Sequence, residues 1–173
     1  MTRAAGRGSF EADFSHPQSS SPNWGQLALD IHVAARTKVP VLISATPDCA
    51  VKVAHAIAEF AGASKTDDVV VCDCAIPGDF STALAGVQPQ PGRQPGEAIL
   101  LLREVQALDP AEQAAVADLV SAWYAGEGAP RIISTCSVSL FDRVRAGAFD
   151  EQLFYSLNAM HIVVRNGSWT SVA

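Results

Sequence analysis

Pro40-Val-Leu-Ile-Ser-Ala-Thr-Pro-Asp-Cys-Ala-Val-Lys-Val-Ala-His-Ala-Ile-Ala-Glu-Phe60 reads as strand, tight loop and helix. Val39, Val41, Leu42 and Ile43 form the short apolar run of a strand buried on both faces. Thr46-Pro47-Asp48 is turn chemistry: Pro47 presets φ, and Asp48 is placed to cap the next helix. Val51, Ala54, Ile57 and Ala58 then recur at helical spacing, carrying the helix to about Ala61. Backbone N–H groups at such a junction can gather around a phosphate. Whether this loop can do so decides what the chain can do.

Downstream, the same alternation repeats. Lys65 to Asp68 is a polar turn, and Val69 to Cys74 a second buried strand, broken by Ala75-Ile-Pro-Gly78. Asp79 to Val87 reads as a short helix. Gln88 to Gly96 holds Pro89, Pro91 and Pro95, so it is an irregular loop. Glu97 to Leu102 is a third strand, with Arg103 and Glu104 at its C-terminal end. Asp109-Pro110 opens a helix with Asp as cap and Pro at the first position. Arg131 to Thr135 is a fourth strand, Leu140 to Arg145 and Phe149 to Leu157 are short helices, and Met160 to Val164 is a last strand. Upstream, Leu27, Ile31, Ala34 and Ala35 give a helix from Trp24 to Lys38 with Asn23 as its cap.

Strands alternating with helices predict an α/β fold, a parallel sheet covered on both faces, with ligands at the C-terminal strand ends. The expected organisation is a tail over residues 1–21, one domain over 22–165 and a frayed end over 166–173.

Composition narrows the function. The chain has 173 residues, 49% apolar and 17% charged, which suits a globular domain with a sizeable core. Its net charge of −6 argues against a nucleic-acid footprint, so direct nucleic-acid binding is not expected. No apolar run reaches membrane-span length, and no apolar stretch follows Arg3 and Arg7 as a secretory signal requires. No membrane contact and a cytoplasmic location are expected. Cys49, Cys72, Cys74 and Cys136 are then free, mostly buried thiols. With no CxxC pair and no His at ligand spacing, no metal is expected. Cys49 at a helix N-terminus is a conceivable nucleophile with a lowered pKa, but His55 lies six residues on, a poor neighbour for it. Ser137, Asp142 and His161 form no recognisable triad.

An ordered series of short matches, beginning near Ser21 and ending near Val164, carries a family resemblance. Pro40-Val-Leu-Ile, Val53-Ala-His-Ala-Ile57 and Asp73-Cys-Ala-Ile-Pro77 open it; Arg131-Ile-Ile-Ser-Thr135, Leu140, Gly147-Ala-Phe149, Leu153-Phe-Tyr155 and Leu157-Asn158 close it. The series resembles the central AAA+ domain of sigma-54-dependent transcriptional activators, the later part matching its run through sensor 1 and the arginine-finger helix. The resemblance implies a three-layer parallel sheet of the P-loop NTPase type, here without the helical lid that follows in the family.

The departures concern the chemistry. A phosphate loop needs GxxxxGK: glycines so that N–H groups close on the phosphates, and lysine for charge. The resemblance places Ser44 at the first glycine, Cys49 at the second and Ala50 at the lysine, with Thr46, Asp48 and Val51 in the same segment. Pro47 removes one donor. Lys52 comes two residues late, on another side of the helix. Arg103 stands where an Asp would hold magnesium, and Glu104 matches the catalytic Glu, its plainer role being a solvated partner of Arg103. Ser137 lies near sensor 1, its ordinary role being a helix cap. Asp150 and Ser156 occupy the two arginine-finger positions. Between Pro77 and Gly96 there is no GAFTGA loop for sigma-54.

These substitutions imply a degenerate nucleotide site: a non-catalytic regulatory or protein-interaction module in signalling or transcription control. No cofactor is expected. The alternative is weak residual binding of ATP with magnesium. Expected partners are a genuine AAA+ activator, a response regulator or the chain's own copy, as monomer or dimer.

Overall fold

The computed structural model describes residues 24–63, 68–87 and 98–164. In chain order they form α1 (Trp24–Thr37), β1 (Val41–Ser44), α2 (Pro47–Phe60), β2 (Val69–Asp73), α3 (Asp79–Gly86), β3 (Ile99–Arg103), a 3₁₀ turn (Val105–Ala107), α4 (Pro110–Ala125), β4 (Arg131–Cys136), α5 (Leu140–Arg145), α6 (Glu151–Leu157) and β5 (Met160–Val163). The tail, the Asn23 cap, residues 65–67 of the polar turn, the loop of residues 88–96 and the end after Val164 fall outside the described residues.

The five strands make one parallel sheet in the order β2-β3-β4-β1-β5. Its register sets the site: Ser44 lies opposite Cys136 on β4 and Val163 on β5, and Leu42 opposite His161. The last strand pair continues one bond further, from Val164 N to Ser44 O at 2.9 Å.

Period-2 alternation sends each strand's side chains to two cores. Leu42, Leu100, Leu102 and Ile132 pack with Phe80 of α3, Val116 and Val120 of α4, and Leu153 and Leu157 of α6. On the opposite face Val41, Ile43, Leu101, Ile133 and Ile162 pack with Ile31 and Ala34 of α1 and with Val53, Ala54 and Ile57 of α2. The result is helix, sheet, helix in three layers, as the uninterrupted apolar strands predict. Ile57 has no exposed surface, so truncating it to Ala should cost about 2–5 kcal/mol through lost burial and the cavity left behind.

Three local devices fix the elements around the sheet. Asp109 caps α4 as expected and forms a capping box with Glu112: Glu112 N donates to Asp109 Oδ1 at 2.8 Å, and Asp109 N to Glu112 Oε2 at 3.0 Å. Gln113, buried on that helix, donates to Leu108 O at 2.9 Å and accepts from Asp150 N at 2.8 Å, joining α4 to the start of α6. Arg131, 3% exposed, reaches back at the opposite strand end to donate to Ala34 O at 2.6 Å and Val39 O at 3.3 Å. It supplies carbonyls near the C-terminus of α1 with a charged donor. Burial lowers its pKa to about 10.

Candidate functional site

Three structures meet at the C-terminal ends of β1, β3 and β4. The first is the β1–α2 connection. Only Ala45 and Thr46 lie between strand and helix. Thr46, with φ −60° and ψ 148°, is the N-cap, and its side chain makes no capping bond. Asp48 does not cap α2, contrary to the expectation from sequence. Pro47, with its φ already helical, takes the first helical position, and this draws Asp48 into the first turn. There its carboxylate faces the positive end of the helix dipole.

Pro47, Asp48 and Cys49 thus spend on one turn of helix three positions that a phosphate cradle would leave in its loop. Ala50 N already donates to Thr46 O at 2.9 Å. Cys49 and Ala50 are buried against the sheet, Ala50 completely, so a Lys at residue 50 would carry an ammonium into an apolar core. Lys52 is exposed, Val51 half-buried. Burial raises the Cys49 pKa, outweighing the nearby Lys52. The Cys49 thiol thus departs from the expectation of a lowered pKa, because it is turned inward and desolvated.

Ser44 is the best-connected residue of this connection. Its Oγ is 2.8 Å from His161 Nε2 and 3.2 Å from Cys136 Sγ. Burial lowers the His161 pKa and raises that of Cys136, the latter opposed by the Ser44 contact. His161 and Ser44 are 117 residues apart in sequence. Neither spacing nor motif joins them; only the adjacency of β1 and β5 does.

The second structure lies at the end of β3. The Arg103 guanidinium pairs with Asp73 at the end of β2, Nη1 to Oδ2 at 3.3 Å. Asp73 also accepts from Ala75 N at 3.1 Å through Oδ1. Glu104 is not the partner of Arg103. Its backbone turns left-handed at φ 52°, which swings its side chain away from the β2 side. Its N–H donates to Thr135 Oγ1 at 3.3 Å, and its Oε2 accepts from Ser137 Oγ and from Gln106 Nε2. Ser137 is therefore a ligand of Glu104 rather than a helix cap. The cap of α5 is Ser139, which accepts from Asp142 N at 3.2 Å. Arg103 Nε, Glu104 Oε1 and Gln106 Oε1 remain buried without a partner.

The third structure is α6. Asp150 caps it by accepting from Leu153 N at 2.7 Å, and Ser156 donates to Gln152 O at 2.8 Å. Both positions at which the resemblance looks for arginine thus serve the helix itself.

The structure brings Glu104 to Ser137 and Ser44 to Cys136, and separates Arg103 from Glu104. Cys72 and Cys74 are buried in one core. Their mutual interaction lowers the Cys72 pKa and, with burial, raises that of Cys74. All four cysteines are free.

A family model described as the sigma-54 interaction domain matches residues 19–166. The chain belongs to the sigma-54 interaction domain family. Solved structures agree on the fold. NtrX from Brucella abortus in complex with ATP superposes with a TM-score of 0.64 at 19% identity, over 82% of this chain and 36% of NtrX. The P-loop NTPase domain of an Escherichia coli sigma-54 activator gives 0.62 at 16% identity, over 81% of this chain and 94% of that domain. The Thermotoga maritima RuvB branch-migration motor gives 0.53 at 14% identity, over 82% of this chain and 43% of RuvB. This sigma-54 interaction domain thus spans about a third of NtrX. No curated protein sequence matches it. Among its described residues, no helix is long and apolar enough to cross a membrane.

Proposed function

We propose that this sigma-54 interaction domain is a non-catalytic regulatory module that works through protein contacts and does not turn over ATP. The observation that carries the reading is the β1–α2 connection. A phosphate loop works by aiming several backbone N–H groups at one anion. Here that length of chain is wound into helix behind Pro47, the lysine position is a buried Ala50, and Ser44 is held by His161 and Cys136.

The remaining sites support the same reading. Magnesium needs anionic oxygens with open coordination. At the end of β3 the residue in the magnesium position is a cation already paired with Asp73. The Glu104 carboxylate is spent in part on Ser137 and Gln106. An arginine finger is typically worth about 10³–10⁵ in rate; Asp150 and Ser156 supply none.

The partner class that fits is a protein of the same family, a response regulator or a second copy of the chain, in signalling or transcription control, with the chain itself a monomer or dimer. The test is a magnesium-dependent ATPase assay on the purified chain, alone and with a catalytically active sigma-54 activator, run beside size-exclusion chromatography. The reading predicts no turnover by the chain alone, elution as monomer or dimer, and an altered rate of the active partner. Turnover that scales with the chain's own concentration refutes it, as does a stable hexamer.

A further inference from the structure

We propose that the cavity at the C-terminal ends of β4, β1 and β5 binds a neutral, single-ring aromatic compound carrying one O–H or N–H donor. The cavity encloses about 400 Å³, within the range of small-molecule pockets. Its floor is the sheet face that bears Ser44, Cys136 and His161, and its walls are Phe141 of α5 and Phe154 of α6. The cavity shares Ser44, Thr46 and Ser137 with the site above, but the inference goes beyond the non-catalytic reading, because it concerns neither phosphate nor magnesium.

The charge of the ligand follows from the lining, which among the described residues includes no Lys, Arg, Asp or Glu. Burial favours the neutral form of its one imidazole, His161. A phosphate or carboxylate would enter without a counter-charge, at the desolvation cost of an unpaired ion.

The ring follows from exposed apolar surface. Val138, Phe141 and Val163 are large hydrophobic side chains left about half exposed, and all three border the cavity. Apolar surface gathered at a concave site marks a place where something is bound. Phe154, whose ring centroid lies 6.2 Å from that of Phe141, offers a second aromatic wall.

The donor follows from proton counting on Ser44. A hydroxyl has one proton to give and two lone pairs to receive. If Ser44 donates to His161 Nε2, it can accept from the Cys136 thiol and keeps one lone pair. If His161 donates to Ser44, the hydroxyl proton goes to Cys136 and again one lone pair remains. In either arrangement the unspent capacity of the Ser44 hydroxyl is that of an acceptor. A phenol or a pyrrole satisfies it; a plain hydrocarbon does not.

The experiment is a titration of the ¹⁵N-labelled full chain with phenol and with toluene, followed by amide chemical shifts. Phenol is expected to give saturable shifts at residues 44–46 and 137–141. Toluene should bind there more weakly. Ser44→Ala should weaken phenol about fivefold, the effect of one lost hydrogen bond, and leave toluene within about twofold. Ser44→Thr, which keeps the oxygen, should retain the preference for phenol, and the spectrum of each variant reports its fold directly. Shifts that stay linear in phenol, or that lie elsewhere on the chain, overturn the site. Equal weakening of both compounds by Ser44→Ala, or of neither, overturns the role of the donor.

Discussion

Replacing Arg131 by Met removes a buried cation whose work is confined to two carbonyl oxygens, so its cost can be worked through. The guanidinium is 3% exposed and satisfies Ala34 O and Val39 O. Each oxygen left buried without a donor costs about 1–3 kcal/mol, or about 4 kcal/mol for both. Against this stands relief from burying the charge. The lowering of its pKa by burial to about 10 corresponds to roughly 3 kcal/mol at 1.36 kcal/mol per unit. Met fills much of the same volume, so the expected net loss is small for so buried a residue, about 1–2 kcal/mol. Arg131→Ala adds a cavity and should cost about 3 kcal/mol or more. Urea unfolding of the three proteins, with unchanged m-values, reads both differences. An Arg131→Met variant as unstable as Arg131→Ala would refute the reasoning, since volume would then contribute nothing. A variant more stable than the parent would refute it in the other direction. The outcome bears on the site, because Arg131 anchors the strand that ends at Cys136 and delivers Ser137 to Glu104.

Further perturbations separate the parts of the site. Arg103→Asp puts back the family's carboxylate but sets it against Asp73; it should lower stability by about 1 kcal/mol, the scale of a part-exposed pair turned repulsive, without creating magnesium-dependent ATP binding in a calorimeter. The His161 imidazole has a pKa lowered by burial, so the unfolded chain takes up its proton first as pH falls. Its contribution to stability is full above the ordinary value of about 6.5 and declines below it toward the folded pKa. His161→Phe should flatten that part of a stability-versus-pH curve, and an unchanged slope would remove His161 from the account. Asp109→Ala should cost about 1 kcal/mol through loss of the capping box, measured by thermal unfolding. Cys49, Cys72 and Cys74, buried away from the cavity, should react with a thiol reagent only at the rate of unfolding, and a fast-reacting thiol among them would contradict their burial.

Much of the fold is legible in the residues because each strand is apolar on both faces and each long helix carries its own punctuation. Asp109-Pro110 marks the start of α4, and the continuous run Glu97 to Leu102 predicts a strand between helical layers. The site is less legible. Substitutions at Ser44, Ala50 and Arg103 are visible by position. What those side chains do instead depends on partners distant in sequence: Arg103 takes Asp73 from β2, Glu104 takes Ser137 from beyond β4, and Ser44 takes His161 from β5. Strand order decides such pairs, and no spacing rule reaches across it. The start of α2 departs from the sequence expectation for a different reason. Thr46, Pro47 and Asp48 all suit a helix start, and the fixed φ of Pro47 settles the competition in favour of Thr46 as the cap.

The central claim is that the β1–α2 connection no longer holds a phosphate. It is tested most directly by following the melting temperature of the purified chain while ATP or ADP is added with magnesium. A ligand at 100 times its Kd stabilises the folded state by about 2.7 kcal/mol, several degrees for a chain of this size. The account predicts no magnesium-dependent shift with either nucleotide. A saturable rise in melting temperature that requires magnesium and disappears with a chelator would contradict it.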